Sequence, residues 1–300
     1  TEDRAFTALN TAYLTDGAYV RIADGVDLAT PVHVIHVIDA ASLEAMSHPR
    51  TLIVCGANAG LRVIETYVAS DGTTGYFRNA VTEIVAGAGS RLEHVRIQRE
   101  SPDAWHLGAV AVRQARDADV RSTHFALGAR LARVDASARL DGEGGHHALN
   151  GLYLVDGDDL VDHHTTVDHA VPHCTSHELF KGILGGRGRG VFKGRIIVRE
   201  DAQKTDAIQH NPNLLLSDDA LIHSRPQLEI YADDVRCTHG ATVGQIDAEQ
   251  LFYLRTRGID EATGRDLLIH AFAGEVLDHL GIDGLRDVLE REIDARLPGA

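Results

Sequence analysis

Cys237, Thr238 and His239 stand in the run VRCTHGATVG, whose small and β-branched residues suit an extended strand. Side chains at i and i+2 of a strand project from one face, so the Cys237 thiol and the His239 imidazole point the same way. Such a pair can share a proton, bind a soft metal ion or ligate an iron–sulfur species. A single C-x-H is common, however, and by spacing alone a small buried thiol beside an ordinary histidine accounts for it better.

The densest cluster of ligand-type residues is VDHHTTVDHAVPHCTSHELFKG, which holds His163, His164, His169, His173, His177 and Cys174. Imidazole and thiolate suit zinc and iron, and Asp162 and Asp168 could orient ring N–H groups. The spacing fits neither H-E-x-x-H nor a two-plus-two finger, and strand alternation would send these histidines to opposite faces, so a row of polar residues is expected instead of a metal site. GGRGRGVFKG (Gly185, Gly186, Gly188 and Gly190 with Arg187 and Arg189) invites a phosphate-loop reading. Neither a Lys-Ser/Thr nor a helix follows it, so a tight turn is expected. Asp158-Asp159, Asp218-Asp219 and Asp233-Asp234 sit in turn contexts, and no G-x-S-x-G is present.

These residues are carried by many short apolar or alternating runs from about Gly17 to Gly244, among them YVRI, PVHVIHVI, LEHVRI and VFKGRIIV. Each has strand length, and turn pairs such as Asp71-Gly72, Asp141-Gly142 and Asp156-Gly157 punctuate them. No amphipathic helices alternate with the strands, which excludes a doubly wound α/β sheet. Few aromatics, 5% of the chain, and abundant Val, Ala, Leu and Ile suit stacked ladders. Pattern alone leaves a parallel β-helix and a sandwich or jelly roll equally open.

The texture changes at Gln245. Asp247 caps a helix expected to run to Arg257 and stop at Gly258, with Gln250 closing a capping box and Ile246 and Leu251 forming a staple. Asp260 opens a second, with Leu267, Leu268, Phe272, Val276, Leu277 and Leu280 on one stripe before Gly281. A third is expected from about Asp283, with Leu285, Val288, Leu289 and Ile293, ending before Pro298. Helices this short must pack on each other, on the β body or on a partner.

Acidic residues outnumber basic ones 44 to 29, a formal charge of −15, so whole-chain attraction to nucleic acid or anionic membrane is missing. No apolar run spans a bilayer, and TEDRAFTALNTAYL lacks the build of a secretion signal. Cys55, Cys174 and Cys237 are odd in number and far apart, as suits free thiols in a reducing, cytoplasmic setting. The chain begins at Thr1 with Met46 its sole methionine, so a longer parent chain is expected.

The stretch EDAQKTDAIQHNPNLLLSDDA (Glu200 to Ala220), the segment from Pro226 to Ile259 and the upstream KGILGGRGRGVFKGRIIV together resemble the SufB/SufD family of iron–sulfur cluster assembly scaffolds. Within it, CTHGATVG with LFYLRTRGI resembles the SufD branch; the SufB branch tends to a Glu-His-Glu-Ala core there, from which Cys237 to Ala241 departs. FTALNTAYLTDGAYVRIADGV resembles the lead into the family's β-helix, and the helical region that usually precedes it is not in this sequence. The resemblance implies a right-handed parallel β-helix followed by a small helical domain, here an opening segment over 1–16, a β-helix over 17–244 and helices over 245–300. It implies a non-enzymatic scaffold subunit that pairs with a SufB-type subunit through the β-helix and docks a SufC-type ABC ATPase on its C-terminal helices. Alone, the chain could form a homodimer. Cys237 and His239 then match positions near the SufB interface, where iron or a nascent cluster is held transiently, with no resident cofactor. Two competing readings are a β-helical carbohydrate-active or acyl-transfer enzyme and a His-rich, cupin-like metal-binding protein. The first lacks a clustered Asp/Arg groove signature and the second an H-x-H with a spaced Glu.

Overall fold

The computed structural model describes residues 5–39 and 45–296. Its strands fall into two parallel ladders. The first stacks β1 (Gly17–Ile22), β4 (Arg50–Cys55), β6 (Phe77–Ala86), β8 (Trp105–Gln114), β10 (Leu131–Leu140), β12 (Leu160–His169), β14 (Arg189–Val198) and β16 (Leu221–Ser224), with β3 (Met46–Ser47) on β6 and β17 (Gln227–Ile230) on β14. The second stacks β2 (Val32–Ile38), β5 (Gly60–Ala69), β7 (Arg91–Arg99), β9 (Asp119–Ala126), β11 (His146–Val155), β13 (Thr175–Leu184), β15 (Asp206–Leu215) and β18 (Arg236–Gly244). The chain alternates between ladders, so each coil gives one strand to each, and the fold is a parallel β-solenoid of about 8 turns. Arg133 of β10 lies opposite Asp162 of β12, 29 residues on, so turns fall at about half that spacing. The turn pairs read from the sequence are these coil corners. Gly186 needs its left-handed φ of 55°, and a Cβ there would sit 2.7 Å from the Gly157 nitrogen of the corner below.

Strand alternation buries one side chain in two. In β10, Ala132, Val134, Ala136, Ala138 and Leu140 point inward, and the residues between them are only partly covered. Small side chains let the ladders approach closely, and larger ones are accommodated by glycine. A Cβ on Gly151 would meet the Phe180 ring at 2.3 Å.

A short helix, α1 (Ala5–Tyr13), precedes the first coil, and its Asn10 amide bonds to the carbonyls of Pro49 and Asn79 at 3.0 and 2.9 Å. Three helices follow β18: α2 (Ala248–Thr256), α3 (Glu261–Leu277) and α4 (Leu285–Asp294). Asp247 and Asp260 cap the first two as expected, and Gly258 turns with φ 86° after α2. Gly284, at φ 74°, precedes α4; the Pro298 end point lies outside the described residues. α3 and α4 fold back along the outer face of the second ladder, where Ile269, Val276, Leu277 and Leu289 cover Val95, Phe125 and Leu152. Lys181 of β13 bonds to the Phe272 carbonyl at 3.0 Å and pairs with Glu275, while Glu93 of β7 accepts from the Gly281 nitrogen at 2.6 Å. The expected stripe of α3 needs one correction. Leu267 is 47% exposed, and Ile269 and Ala273 take the buried places because the contact is with a flat sheet rather than with a helix groove.

Candidate functional site

β18 is the last strand of its ladder, so one of its edges and the inward face above it are uncovered. Register places Cys237 over Ala207 and His239 over Gln209, both fully buried positions of β15. Paired residues of parallel strands share a face, so Cys237 and His239 belong to inward-pointing columns that reach the open end of the solenoid there. Cys237 is half-buried against a cluster of Ile196, Val198, Ala207 and Ala232, with Leu228 and Val235 at its rim. His239 is exposed.

Burial pushes the Cys237 thiol up, with the Asp206 carboxylate adding to the rise and the Ala207 backbone opposing it. The resting group is therefore a thiol, and binding a soft metal there releases a proton. The sequence brought the two donors to one face, as the structure confirms. The site is not closed: among the described residues no group of three or more His, Cys, Asp or Glu side chains converges on one point. A metal ion or cluster held by these two donors needs its remaining ligands from elsewhere.

The His163 to His177 cluster is dispersed by the strand period. His163 and His169 point inward, while His164 points outward to Asp162 at 3.0 Å and Arg133 at 3.2 Å. His173 sits in a corner at φ 59°, and His177 stands outside, edge-on to His146 at 5.8 Å. Cys174 is buried beside Leu140 and Val167. Gly185, Gly186 and Gly188 form the corner between β13 and β14, and Gly190 already lies in β14. A groove of about 800 Å³ along the outside of the first ladder includes Arg139 and Asp168, but Arg199 clasps that carboxylate at 2.9 and 3.0 Å and Arg139 adds a third bond.

What the sequence reading missed is the polarity of the interior. Glu65 is bonded to His94 at 2.9 Å and Thr82 at 2.8 Å, and His94 connects through Ser122 to His124 at 3.0 Å per step. Burial would raise Glu65, but hydrogen bonds from His36 and His94 outweigh it and hold the carboxylate well below its usual range. Glu100 bonds to His106 at 2.8 Å, and Arg78 Nε lies 2.8 Å from it as an ion pair without directed hydrogen-bond geometry. Arg78 is fully buried with its Glu100 partner, and the equally buried Arg96 lies over the Tyr67 ring, 4.8 Å from its centroid, and bonds to His106. Nearer the open end Glu178, 3% exposed, has no ion-pair partner among the described residues; burial pushes it up to about 7, against the lowering influence of the nearby Thr165 hydroxyl and Gln209 amide. The alternation of LEHVRIQRE carried a signal, since it puts Leu92, His94, Arg96 and Gln98 on one face. The opposite face, with Val95 and Ile97, is the more apolar of the two because α3 and α4 cover it, so hydrophobicity does not say which face is inside.

Residues 36–272, which include the whole of β18, match the family described as SUF system FeS cluster assembly, SufBD core domain. The chain belongs to the SufB/SufD family. It is 36% identical to an iron–sulfur cluster assembly SufBD family protein of Synechocystis over 98% of this chain and 66% of that protein. It is 35% identical to the iron–sulfur cluster assembly protein SufD of Escherichia coli over 94% of this chain and 67% of that one. A chloroplast protein of Arabidopsis, ABCI7, is 29% identical over 84% of the chain and 53% of its own length. The chain thus spans about two thirds of the first two relatives. The parallel solenoid and its three trailing helices are the fold expected from the SufB/SufD resemblance. Among the described residues no helix is long and apolar enough to cross a membrane.

Proposed function

We propose that this SufB/SufD family chain is a scaffold subunit of an iron–sulfur cluster assembly complex, cytoplasmic and without catalysis or a resident cofactor of its own. It pairs with a SufB-type subunit through the open end of the solenoid and engages a SufC-type ABC ATPase through its C-terminal helices. ATP hydrolysis comes from that partner. Iron or a nascent cluster, the cargo of the system, is held transiently at Cys237 and His239 with SufB supplying the remaining ligands.

The observation that carries this reading is the place of the two donors. A thiol and an imidazole sit on one face of an uncovered terminal strand, where a second subunit can complete a coordination shell that this chain leaves unfinished. Imidazole exchanges more readily than thiolate, which suits a cluster that must leave. The ATPase contact is supported by α2, which buries none of its residues and exposes Phe252 and Tyr253 at 67% and 58%.

The test is the His239→Ala variant in the assembled complex. Anaerobic cluster yield should fall several-fold while the complex elutes intact. Unchanged yield under iron-limited conditions removes His239 from the site.

A further inference from the structure

The His239 column continues inward through Gln209 to Glu178, one residue per coil. Gln209 is fully buried, and its side chain reaches across the interior over Gly194 of the first ladder, where a Cβ would sit 2.2 Å from its Nε2. Nε2 donates to Glu178 Oε2, which holds the amide one way round. That orientation leaves Gln209 Oε1 buried without a partner. An unpaired buried carbonyl is costly and marks a place where a donor belongs. The next side chain of the column is His239, about 4.8 Å further along the solenoid. Its ring makes no hydrogen bond to any described residue.

We infer that Gln209, oriented by Glu178, is a positioning residue for His239. Once the exposed His239 side chain turns inward over the coil below, Gln209 Oε1 is the acceptor for one ring N–H, which fixes the tautomer and leaves the other nitrogen, with its lone pair, facing the open end as the ligand. The inference rests on the reading of His239 as a ligand. It adds what makes that ligand competent, since an imidazole offers a metal only its unprotonated nitrogen.

Imidazole ¹⁵N spectra of the full chain, selectively labelled at histidine and recorded above the imidazole titration range, test this directly. The His239 signals are assigned by their loss in His239→Gln. The wild type should show one pyrrole-type and one pyridine-type nitrogen near their limiting shifts. In Gln209→Met, similar in volume but without the carbonyl, the two shifts should move toward each other, as in a solvated ring. Glu178→Leu, which frees the amide to turn, should do the same to a lesser degree. Averaged shifts in the wild type overturn the inference before any variant is made, and so does a locked tautomer that survives Gln209→Met with the amide spectrum otherwise native. The readout needs no cluster, so its failure is distinguishable from that of the ligand reading, which the His239→Ala yield tests alone.

Discussion

Glu178 and the buried histidines show how a single side chain in the solenoid interior depends on its neighbours. Glu65 and Glu100 have basic partners, whereas Glu178 has no ion-pair partner among the described residues and burial raises it to about 7. A carboxyl raised above its unfolded value stabilises the fold below about pH 4.5, and that stability is lost as pH rises toward 7. Glu178→Gln should therefore leave stability unchanged near pH 4.5 and raise it by on the order of 3 kcal/mol at pH 8. Urea denaturation of both proteins at the two pH values measures this. At this scale the sequence was partly legible. Cys237 and His239 could be placed on one face by counting, because strand period needs no knowledge of what covers the strand. Glu178 and Gln209 could not be singled out, because their chemistry depends on Gly194 and Thr165, which lie on the other ladder.

The helices divide by what they bury. Leu277, 3% exposed, packs on the outer face of the second ladder, whereas Leu267 on the same helix is 47% exposed. Leu277→Ala should cost about 2–5 kcal/mol, while Leu267→Ala should stay within about 0.5 kcal/mol. Chemical denaturation separates the two. For α2, replacing Phe252 and Tyr253 together by serine should leave the melting temperature in place and weaken capture of the ATPase partner at least tenfold in a pull-down titration. The caps at Asp247 and Asp260 were legible because capping is a local interaction between a side chain and the next backbone turn. The buried stripe of α3 was not, because Leu267 and Ile269 are equally apolar, and only the position of the sheet decides between them.

Across the whole molecule, each coil contacts its neighbours above and below, so stability is distributed along the solenoid. Polar side chains threaded through its interior make that stability sensitive to acid. Burial lowers His106 and His169 to about 4, and His147 and His163 to about 3. Groups depressed in the folded state contribute stability that is present above their unfolded value, near 6.5, and lost as pH falls from there to about 4. His106 and His169 would each cost on the order of 3 kcal/mol over that range. The urea midpoint should drop steeply between pH 7 and pH 5, before most exposed carboxylates are protonated. The many short strands and their corner residues were legible from the sequence. Whether they stack in parallel was not, because hairpins and coils use similar turns and the pairing partner lies a full coil away.

The scaffold reading is tested most directly by purifying a tagged copy of this chain from cells producing SUF proteins and identifying what comes with it. The account predicts a second β-solenoid subunit and an ABC ATPase in stoichiometric amounts, the ATPase selectively lost with the serine pair in α2. Recovery of the chain with neither partner would contradict it.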